Sequence, residues 1–261
     1  MQTTLDLPDL LRLIDERSGA FRAAIAAAPD LDATVPSCPE WTLFDLAQHL
    51  GGGDRFWAAI VAAGPADAPP AEAVAARAAL TPPREREALV AWLAASTRHL
   101  LDALSAAGAE AGCWTWWGNS QSPQTAGAVA RHRVQETAVH TYDAQLAMGA
   151  PELLPQEVAL DGAEEFLLSC CATTFPWPHT DAVVDYHATE GHSWRLHLDA
   201  DGARAETLAE DAAAVTVAHA SARGGASEIV LFYYGRLTME DLAIDGDPKI
   251  FQQLIDWKPG A

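Results

Sequence analysis

The sequence predicts a two-domain α+β protein, with a mainly helical N-terminal domain over residues 1–175 and a small α+β domain over residues 180–261. Two observations support this fold class. Apolar residues first recur at the spacing of amphipathic helices and later alternate with a period of two, as in half-buried strands. The change falls at Thr174–His179, a segment rich in aromatic residues and proline that we interpret as a linker.

The first two helices are predicted from their apolar spacing and their start signals. One covers Leu7–Ile25, with Pro8 in the first turn, where a proline removes no helical hydrogen bond. The next covers Thr42–Ile60 and starts with a near capping box completed by Asp45. Because each glycine costs a helix about 1 kcal/mol relative to alanine, Gly51–Gly53 indicates a kink or a neighbour that approaches closely.

Three further helices are predicted in the N-terminal domain. The alanine- and proline-rich segment Gly64–Pro83 is expected to be a loop. The other predicted limits are Arg84–Ala107 for the third helix, Cys113–Ser122 for a tryptophan-rich connection, Ser122–Gly149 for the fourth helix and Gln156–Thr173 for the fifth.

The C-terminal domain is predicted to combine strands and helices. Alternating apolar residues indicate strands at Val183–His187, Trp194–Leu198 and Ala214–Val217. Helical spacing returns at Ser221–Tyr234 and at Pro248–Trp257. Strands followed by helices in one short segment are typical of an α+β domain.

The charge balance argues against two classes of partner. The 261 residues include 36 acidic and 16 basic ones, which gives a formal net charge of −20. A nucleic-acid-binding protein needs a basic surface that displaces counterions from phosphates, and an anionic membrane attracts basic segments. We therefore expect neither nucleic acid nor a membrane surface as a partner.

The cysteines and the N-terminus favour a cytoplasmic protein. The four cysteines form no CxxC pair, and Cys170 and Cys171 are adjacent, which is a poor arrangement for a disulfide. The N-terminus is acidic where a signal peptide is basic, and no stretch approaches the roughly 18–20 apolar residues of a membrane span. We expect a cytoplasmic protein that is a monomer or a weak homodimer.

One polar stripe on the fourth predicted helix is a candidate for chemistry. His132, Glu136 and His140 follow one another at i+4 spacing and project from one face, and Asp143 continues the stripe. A solvated polar face with modest histidine–glutamate pairing gives the same pattern. For this helix taken alone, the solvated face is the better interpretation.

His49 adds a second observation from another helix. It lies beside the apolar stripe of the second helix, next to Leu50, and should therefore point toward a neighbouring helix. Hydrogen-bonded histidines at the edge of a core are common. A bundle can also place such a histidine opposite Glu136 and His140, and two imidazoles with a carboxylate and an open position are typical of catalytic zinc. Spacing alone leaves both interpretations open.

Two motifs resemble those of the mycothiol-dependent maleylpyruvate isomerase family. The segment Ser37–Leu50, which reads SCPEWTLFDLAQHL, is similar to the family's CPGWT..DL..HL signature, and Gln135–Ala144 resembles its ETAVHRWDA helix. The resemblance covers nearly the whole chain. Looser similarities are found at Cys113–Trp117, Asp161–Gly162, Glu165–Leu167, Tyr234–Arg236 and Ile244–Pro248.

This resemblance implies a fold and a set of site residues. The fold is a DinB-like four-helix metal-binding bundle followed by a sterol-carrier-like domain. By position, the family's zinc ligands fall on His49, Glu136 and His140. Its active-site arginine falls on Arg236, with Arg223 as the weaker match and a surface ion pair as the alternative role. The implied cofactors are one zinc ion per chain and mycothiol, as thiol cofactor or cosubstrate.

The implied activity is cis–trans isomerisation of a maleylpyruvate-like unsaturated acid, through addition and elimination of a thiolate. Two departures from the family pattern leave the substrate open: Thr141 and Tyr142 replace the usual Arg-Trp, and Glu40 stands where glycine is frequent. A mycothiol S-transferase that conjugates an electrophilic xenobiotic or a biosynthetic intermediate would use the same site. A catalytically silent small-molecule-binding module would keep the fold alone.

Two other groups of residues are weaker candidates. No neighbouring cation activates the thiol of Cys38, and the acids near it oppose its ionisation, so we interpret this cysteine as structural. The tryptophans at 114, 116 and 117 are expected to pack in a core or an interface, or else to line the mouth of a pocket.

Overall fold

The computed structural model describes residues 5–209 and 217–259. The chain divides into two compact units, of which the first comprises Met1–Trp116 with Gln124–Leu154 and the second comprises Trp117–Pro123 with Pro155–Ala261. The first unit thus ends earlier in the sequence than the predicted helical domain, which was placed at 1–175. The limits 1–175 and 180–261 stay predictions, because compactness does not test which segments fold independently.

The first unit consists of helices and one small sheet. Its elements are α1 (Leu7–Ala27), β1 (Thr34–Val35), β2 (Cys38–Thr42), α2 (Leu43–Ala63), α3 (Ala71–Ala78), α4 (Arg86–Ala107) and α5 (Ala126–Ala147). The long helices α1 and α2 each pack against both α4 and α5, which makes a four-helix bundle. The strands β1 and β2 form an antiparallel pair just before α2.

The start and the glycines of α2 fix its place in the bundle. Thr42 and Asp45 form a reciprocal capping box, as their spacing predicts. Gly51 faces the ring of Trp92 so closely that a Cβ atom would overlap it. Gly51–Gly53 lies within a continuous helix, so the close approach of neighbouring side chains accounts for this glycine triplet.

The prediction of a loop over Gly64–Pro83 is wrong for its central part, which forms α3. The high helix propensity of alanine outweighs the prolines there, because Pro70 lies at the helix start, where its missing N–H costs nothing. The helices α4 and α5 begin slightly later than predicted. Glu85 caps α4, and Thr125, rather than the Ser122-Pro123 pair, caps α5.

The second unit contains a mixed sheet and three α-helices among its described residues. Its elements are α6 (Gln156–Phe166), a π-helical turn (Leu167–Cys171), β3 (Ala182–Ala188), β4 (Ser193–Asp199), β5 (Gly202–Thr207), β6 (Ala220–Gly224), α7 (Ala226–Tyr233), a 3-10 turn (Met239–Asp241), β7 (Ala243–Gly246) and α8 (Lys249–Asp256). The strand order is β5-β4-β3-β6-β7, in which β3 and β6 are parallel and the other neighbours are antiparallel. With the helical bundle, this sheet confirms the predicted α+β fold class. None of the helices in the described part of the chain has the length and apolar character of a membrane span.

The strand predictions were correct where alternation is strong. The segments predicted from residues 183 and 194 form β3 and β4, and their register places Asp185 opposite Arg195. The edge strands β5 and β7 were not predicted, because several of their residues are exposed on both faces and show no alternation. The third predicted strand, Ala214–Val217, lies outside the described residues except for its last residue.

Two helix limits and the linker require correction. The helix predicted from Ser221 begins only at Ala226, because the residues before it extend the sheet as β6 next to β3. The fifth predicted helix is α-helical to Phe166 and then widens into the π-helical turn. Within the predicted linker, Trp177 is buried and its backbone N–H donates to the carbonyl of Asp199, so this segment packs on its unit.

Candidate metal site

Two packed helices bring the predicted ligand residues together. His49 lies on α2, and Glu136 and His140 lie one turn apart on α5. One ligand atom from each of these three residues lies within 4.8 Å of the other two. The structure therefore supplies the convergence that spacing along one helix leaves open.

The distances suit a small divalent cation. Glu136 Oε2 lies 3.3 Å from His49 Nε2 and 3.9 Å from His140 Nε2. A tetrahedral zinc ion with bonds of about 2.0–2.2 Å holds its ligand atoms roughly 3.4 Å apart. Two imidazoles and one carboxylate are also the donor types that zinc prefers, so the residues present fit this ion.

A buried carboxylate orients one of the candidate ligands. Asp143 Oδ2 lies 2.8 Å from His140 Nδ1, and the Ser37 hydroxyl donates to Asp143 Oδ1 at 2.5 Å. Because the carboxylate binds Nδ1–H, it fixes the tautomer of His140 that leaves Nε2 free to bind a metal. The sequence placed Asp143 on the ligand stripe but gave no partner for it, and Ser37, at the start of the family motif, was not predicted to have this role.

A buried cation lies behind the glutamate. Arg133 Nη1 lies 3.5 Å from Glu136 Oε2, and Arg133 Nη2 donates to Asp54 Oδ1 at 2.8 Å. The hydroxyl of Thr97 donates to the other oxygen of Asp54. Sequence reasoning did not find this network, although Arg133 precedes Glu136 by one helical turn. A Cβ atom on Gly53 would lie 3.2 Å from Arg133 Nη1, so this glycine leaves room for the guanidinium.

Burial and charge shift the pKa values of two candidate ligands. Burial lowers the pKa of His49, and the hydrogen bond to Glu136 only partly offsets this effect. Burial alone would raise the pKa of Glu136. The hydrogen bond from His49 and the nearby side chains of His140, His132 and Arg133 instead hold the pKa of Glu136 well below its usual range. A neutral imidazole and an ionised carboxylate are the forms that bind a divalent cation.

The cluster remains accessible beside an aromatic ring. The side chains of His49 and Glu136 are 26% and 21% exposed, whereas that of His140 is 10% exposed. The ring of Trp41 lies 4.8 Å from that of His49 and 6.2 Å from that of His140, measured between centroids. The cluster is therefore partly exposed to solvent and lies next to the ring of Trp41.

His132 of the polar stripe and the tryptophan segment lie outside the cluster. His132 is buried outside the cluster and contacts the ring of Trp116 at 5.7 Å. Trp114 stacks on Trp57 at 6.2 Å, and Trp117 is buried with its indole N–H donating to the carbonyl of Pro123. These contacts agree with the packing role expected for the tryptophans at 114 and 117.

The predicted substrate arginine lies in the second unit. Arg236 follows α7, and its Nη1 donates to the carbonyl of Tyr234 at 2.6 Å. The weaker match, Arg223, lies on β6. The role of Arg236 toward a substrate stays a prediction.

A helical bundle that carries a His/Glu/His cluster, together with an α+β domain, defines a class of two-domain proteins with a candidate metal site. Residues 11–145 match the mycothiol maleylpyruvate isomerase N-terminal domain, and residues 157–253 match the MDMPI C-terminal domain. The chain belongs to the mycothiol-dependent maleylpyruvate isomerase family, which confirms the resemblance predicted from the sequence motifs.

Solved structures of this family share the fold. The match to a crystal structure of the mycothiol-dependent maleylpyruvate isomerase covers 94% of this chain and 96% of that chain, at 14% identity and a TM-score of 0.60. A variant of that isomerase with one histidine replaced by alanine gives the same coverage, at 15% identity and a TM-score of 0.61. No curated protein matches the chain. At this level of identity the similarity establishes the fold alone.

Proposed function

We propose that the chain is a zinc-dependent enzyme that uses mycothiol to isomerise a maleylpyruvate-like unsaturated acid from cis to trans. The observation that carries this proposal is the convergence of His49, Glu136 and His140 within 4.8 Å, in a chain of this family. We also propose that the enzyme works in the cytoplasm as a monomer or a weak homodimer. The four free cysteines support a reducing compartment.

The three ligands would hold one zinc ion through His49 Nε2, Glu136 Oε2 and His140 Nε2. When bound, zinc would accept the mycothiol sulfur at its open position and favour the thiolate at neutral pH. The protein prepares this site by keeping Glu136 ionised and His49 neutral and by fixing the tautomer of His140 through Asp143. Glu136 and His140 would thus be ready for metal, whereas the imidazole proton that His49 Nε2 shares with Glu136 would have to move to Nδ1.

The proposed reaction conserves both atoms and electrons. The mycothiol sulfur bonds to one carbon of the double bond, and the displaced electron pair is delocalised into the adjacent carbonyl as an enolate. The remaining single bond rotates, the enolate collapses, and expulsion of the sulfur restores the double bond in the trans form. Arg236 would pair with a substrate carboxylate or stabilise the enolate, which matters in a chain of net charge −20.

A mycothiol S-transferase is the second candidate function. It would use the same ligands. After the thiolate has added, the enolate would take up a proton instead of rotating and expelling the sulfur, so the thiol would stay attached to the product. The departures at Glu40, Thr141 and Tyr142 from the family motif leave the substrate open to an electrophile other than a maleylpyruvate-like acid. The electrophile would then be a xenobiotic or a biosynthetic intermediate.

Metal content is the first test of the proposal. We expect about one zinc per chain in the wild type, measured by mass spectrometry after purification without chelator. The variants His49→Ala, Glu136→Gln and His140→Ala should each lose zinc or bind it much more weakly. His132→Ala is the matched control, because this histidine lies on the same helix but outside the cluster, and it should retain the metal. A folded wild-type protein that takes up no added zinc would overturn the proposal.

Thiol balance separates the two reactions. The zinc-loaded protein is incubated with mycothiol and either maleylpyruvate or a panel of electrophiles, and the products are analysed by mass spectrometry. An isomerase regenerates its thiol, whereas a transferase consumes one thiol for each product. Arg236→Ala should raise KM for an anionic substrate more than Arg223→Ala does. Binding without turnover throughout the panel would instead indicate a catalytically silent binding module.

A further inference from the structure

The second unit contains a cavity that the proposed function does not use. Its volume is about 540 Å³, within the range of roughly 300–1,000 Å³ that small-molecule sites occupy. Tyr186 of β3, Phe232 of α7 and Phe251 of α8 are buried and line its floor. Every described residue that lines this cavity belongs to the second unit, whereas the candidate metal ligands belong to the first.

Aromatic rings dominate the walls of this cavity. Seven of its eighteen lining residues are Phe, Tyr or Trp, whereas these residues make up 8% of the chain. The rings already pack against one another, with Phe166 stacked on Tyr233 at 4.9 Å and Tyr186 edge-on to Tyr233 at 4.8 Å. Walls of this kind offer both faces and edges of rings, which favour a flat aromatic ligand over a flexible chain.

The charges around the cavity are unlike those of the rest of the protein. None of the described residues that line it is acidic, although 36 of the 261 residues are Asp or Glu. Among these described residues the single charged one is Lys258, which is exposed and therefore lies at the mouth. The chain has one other lysine, Lys249, which begins α8 and does not line the cavity. The described lining residues thus carry one positive charge, and the carboxylates of Asp241 and Asp256 accept hydrogen bonds from the lining residues Thr238 and Gln252.

We propose that this cavity binds an aromatic carboxylic acid of two or three fused rings. The rings would lie among Tyr186, Phe232 and Phe251, and the carboxylate would face Lys258 at the mouth. The inference goes beyond the proposed function, because it rests on residues of the second unit and requires neither zinc nor a thiol.

Isothermal titration calorimetry with 2-naphthoic acid tests the proposal on the full-length protein. We expect one binding site per chain, with weaker binding of the neutral 2-naphthamide and of the flexible anion decanoate. Lys258→Glu should lower the affinity for 2-naphthoate about tenfold, because an attraction is replaced by a repulsion, and should leave 2-naphthamide binding unchanged. Lys249→Glu is the matched control and should change neither affinity.

A second variant locates the bound molecule. Leu254→Trp adds bulk to a residue that lines the cavity and should abolish the binding of both naphthyl compounds. If its circular dichroism shows a disrupted fold, Met239→Trp replaces it, since Met239 lines the same cavity. Glu136→Gln should retain full affinity, which separates this site from the candidate metal site.

Four results would overturn the proposal. The wild-type protein could fail to bind 2-naphthoate, or it could bind decanoate more tightly. Lys258→Glu could weaken the binding of 2-naphthamide and of 2-naphthoate equally, which would show that Lys258 does not recognise the carboxylate. Glu136→Gln could abolish binding, which would place the ligand at the metal site instead.

Discussion

Each of the two units contains a buried arginine that is paired with carboxylate, but the two arrangements differ. In the second unit, Arg195 donates to both oxygens of Asp185, at 2.7 and 2.8 Å, across adjacent strands. In the first unit, Arg133 divides its guanidinium between Asp54 and Glu136. Glu136 contacts two histidines through the same oxygen that faces Arg133.

The difference shows that a buried carboxylate can either hold two strands together or contribute to a candidate metal site. In the bidentate pair both oxygens of the carboxylate accept hydrogen bonds from Arg195, so Asp185 helps to hold β3 against β4. A carboxylate shared among a cation and two imidazoles retains affinity for a further cation. We therefore expect changes around Arg133 to alter metal binding, and changes around Arg195 to alter stability alone.

The largest expected effect is the loss of stability when either arginine is replaced. Arg133→Met leaves buried carboxylates without their cation and should lower the free energy of unfolding by about 3–5 kcal/mol. Zinc would then neutralise part of this charge, so added zinc should raise the melting temperature of Arg133→Met more than that of the wild type. Arg195→Met should also destabilise the protein, but its zinc-induced shift should equal that of the wild type. Equal shifts in all three proteins would remove the distinction between the two arginines.

The next effect concerns the carboxylate behind His140. Asp143→Asn removes the charge that orients this candidate ligand and should weaken zinc binding by about 10–100-fold, measured by competition with a chelating dye. Ser37→Ala, which keeps the carboxylate and removes one of its hydrogen bonds, should weaken binding less. The same affinity for Asp143→Asn and the wild type would show that Asp143 does not orient the ligand.

A smaller effect is expected at the glycines of α2. Gly53→Ala would push against the Arg133 guanidinium, which is buried and cannot move away, and should cost about 1–2 kcal/mol of stability. Gly52→Ala would meet only the flexible end of Leu80 at 3.2 Å, so the gain in helix propensity should offset the contact. Urea unfolding of both variants measures the difference. A larger loss in Gly52→Ala would contradict the proposed packing reason.

The smallest effect concerns pH in the metal-free protein. The pKa values of His49 and Glu136 are both lowered in the folded state, so the unfolded chain binds protons more readily at these groups. The stability of the chelator-treated protein should fall as the pH drops below about 6.5, first through His49 and at lower pH through Glu136. His49→Gln should flatten the upper part of this dependence, as followed by urea unfolding at several pH values. An unchanged slope would show that the burial of His49 does not contribute.

The sequence predicted the site wherever its residues belong to one helix or one motif. The spacing of Glu136 and His140, the position of His49 beside an apolar stripe and the Thr42 capping box are all local patterns, and each is present in the structure. The family resemblance added the pairing of the two helices. The fold class follows in the same way from the change in apolar period near residue 180.

What the sequence did not predict depends on contacts between distant residues or on competing local preferences. The ion pair between Arg133 and Asp54 joins residues 79 positions apart, and no periodicity reports it. The helix α3 was missed because prolines flank a run of alanines, and β6 because its partner β3 decides its conformation. Three-dimensional packing determines each of these features.

The order of strands in the sheet has a consequence for the folding pathway. The strands β3, β4 and β5 form a meander of local pairings, and Arg195 is only 10 residues from Asp185. Joining β6 to β3 requires closure of a longer loop, as in the hydrogen bond from Val183 to His219, 36 residues away. Because closing a longer loop costs more entropy, we expect the meander to form before β6 joins it. The aromatic cavity, whose walls include α7 and α8, would then be completed only in the last stages of folding.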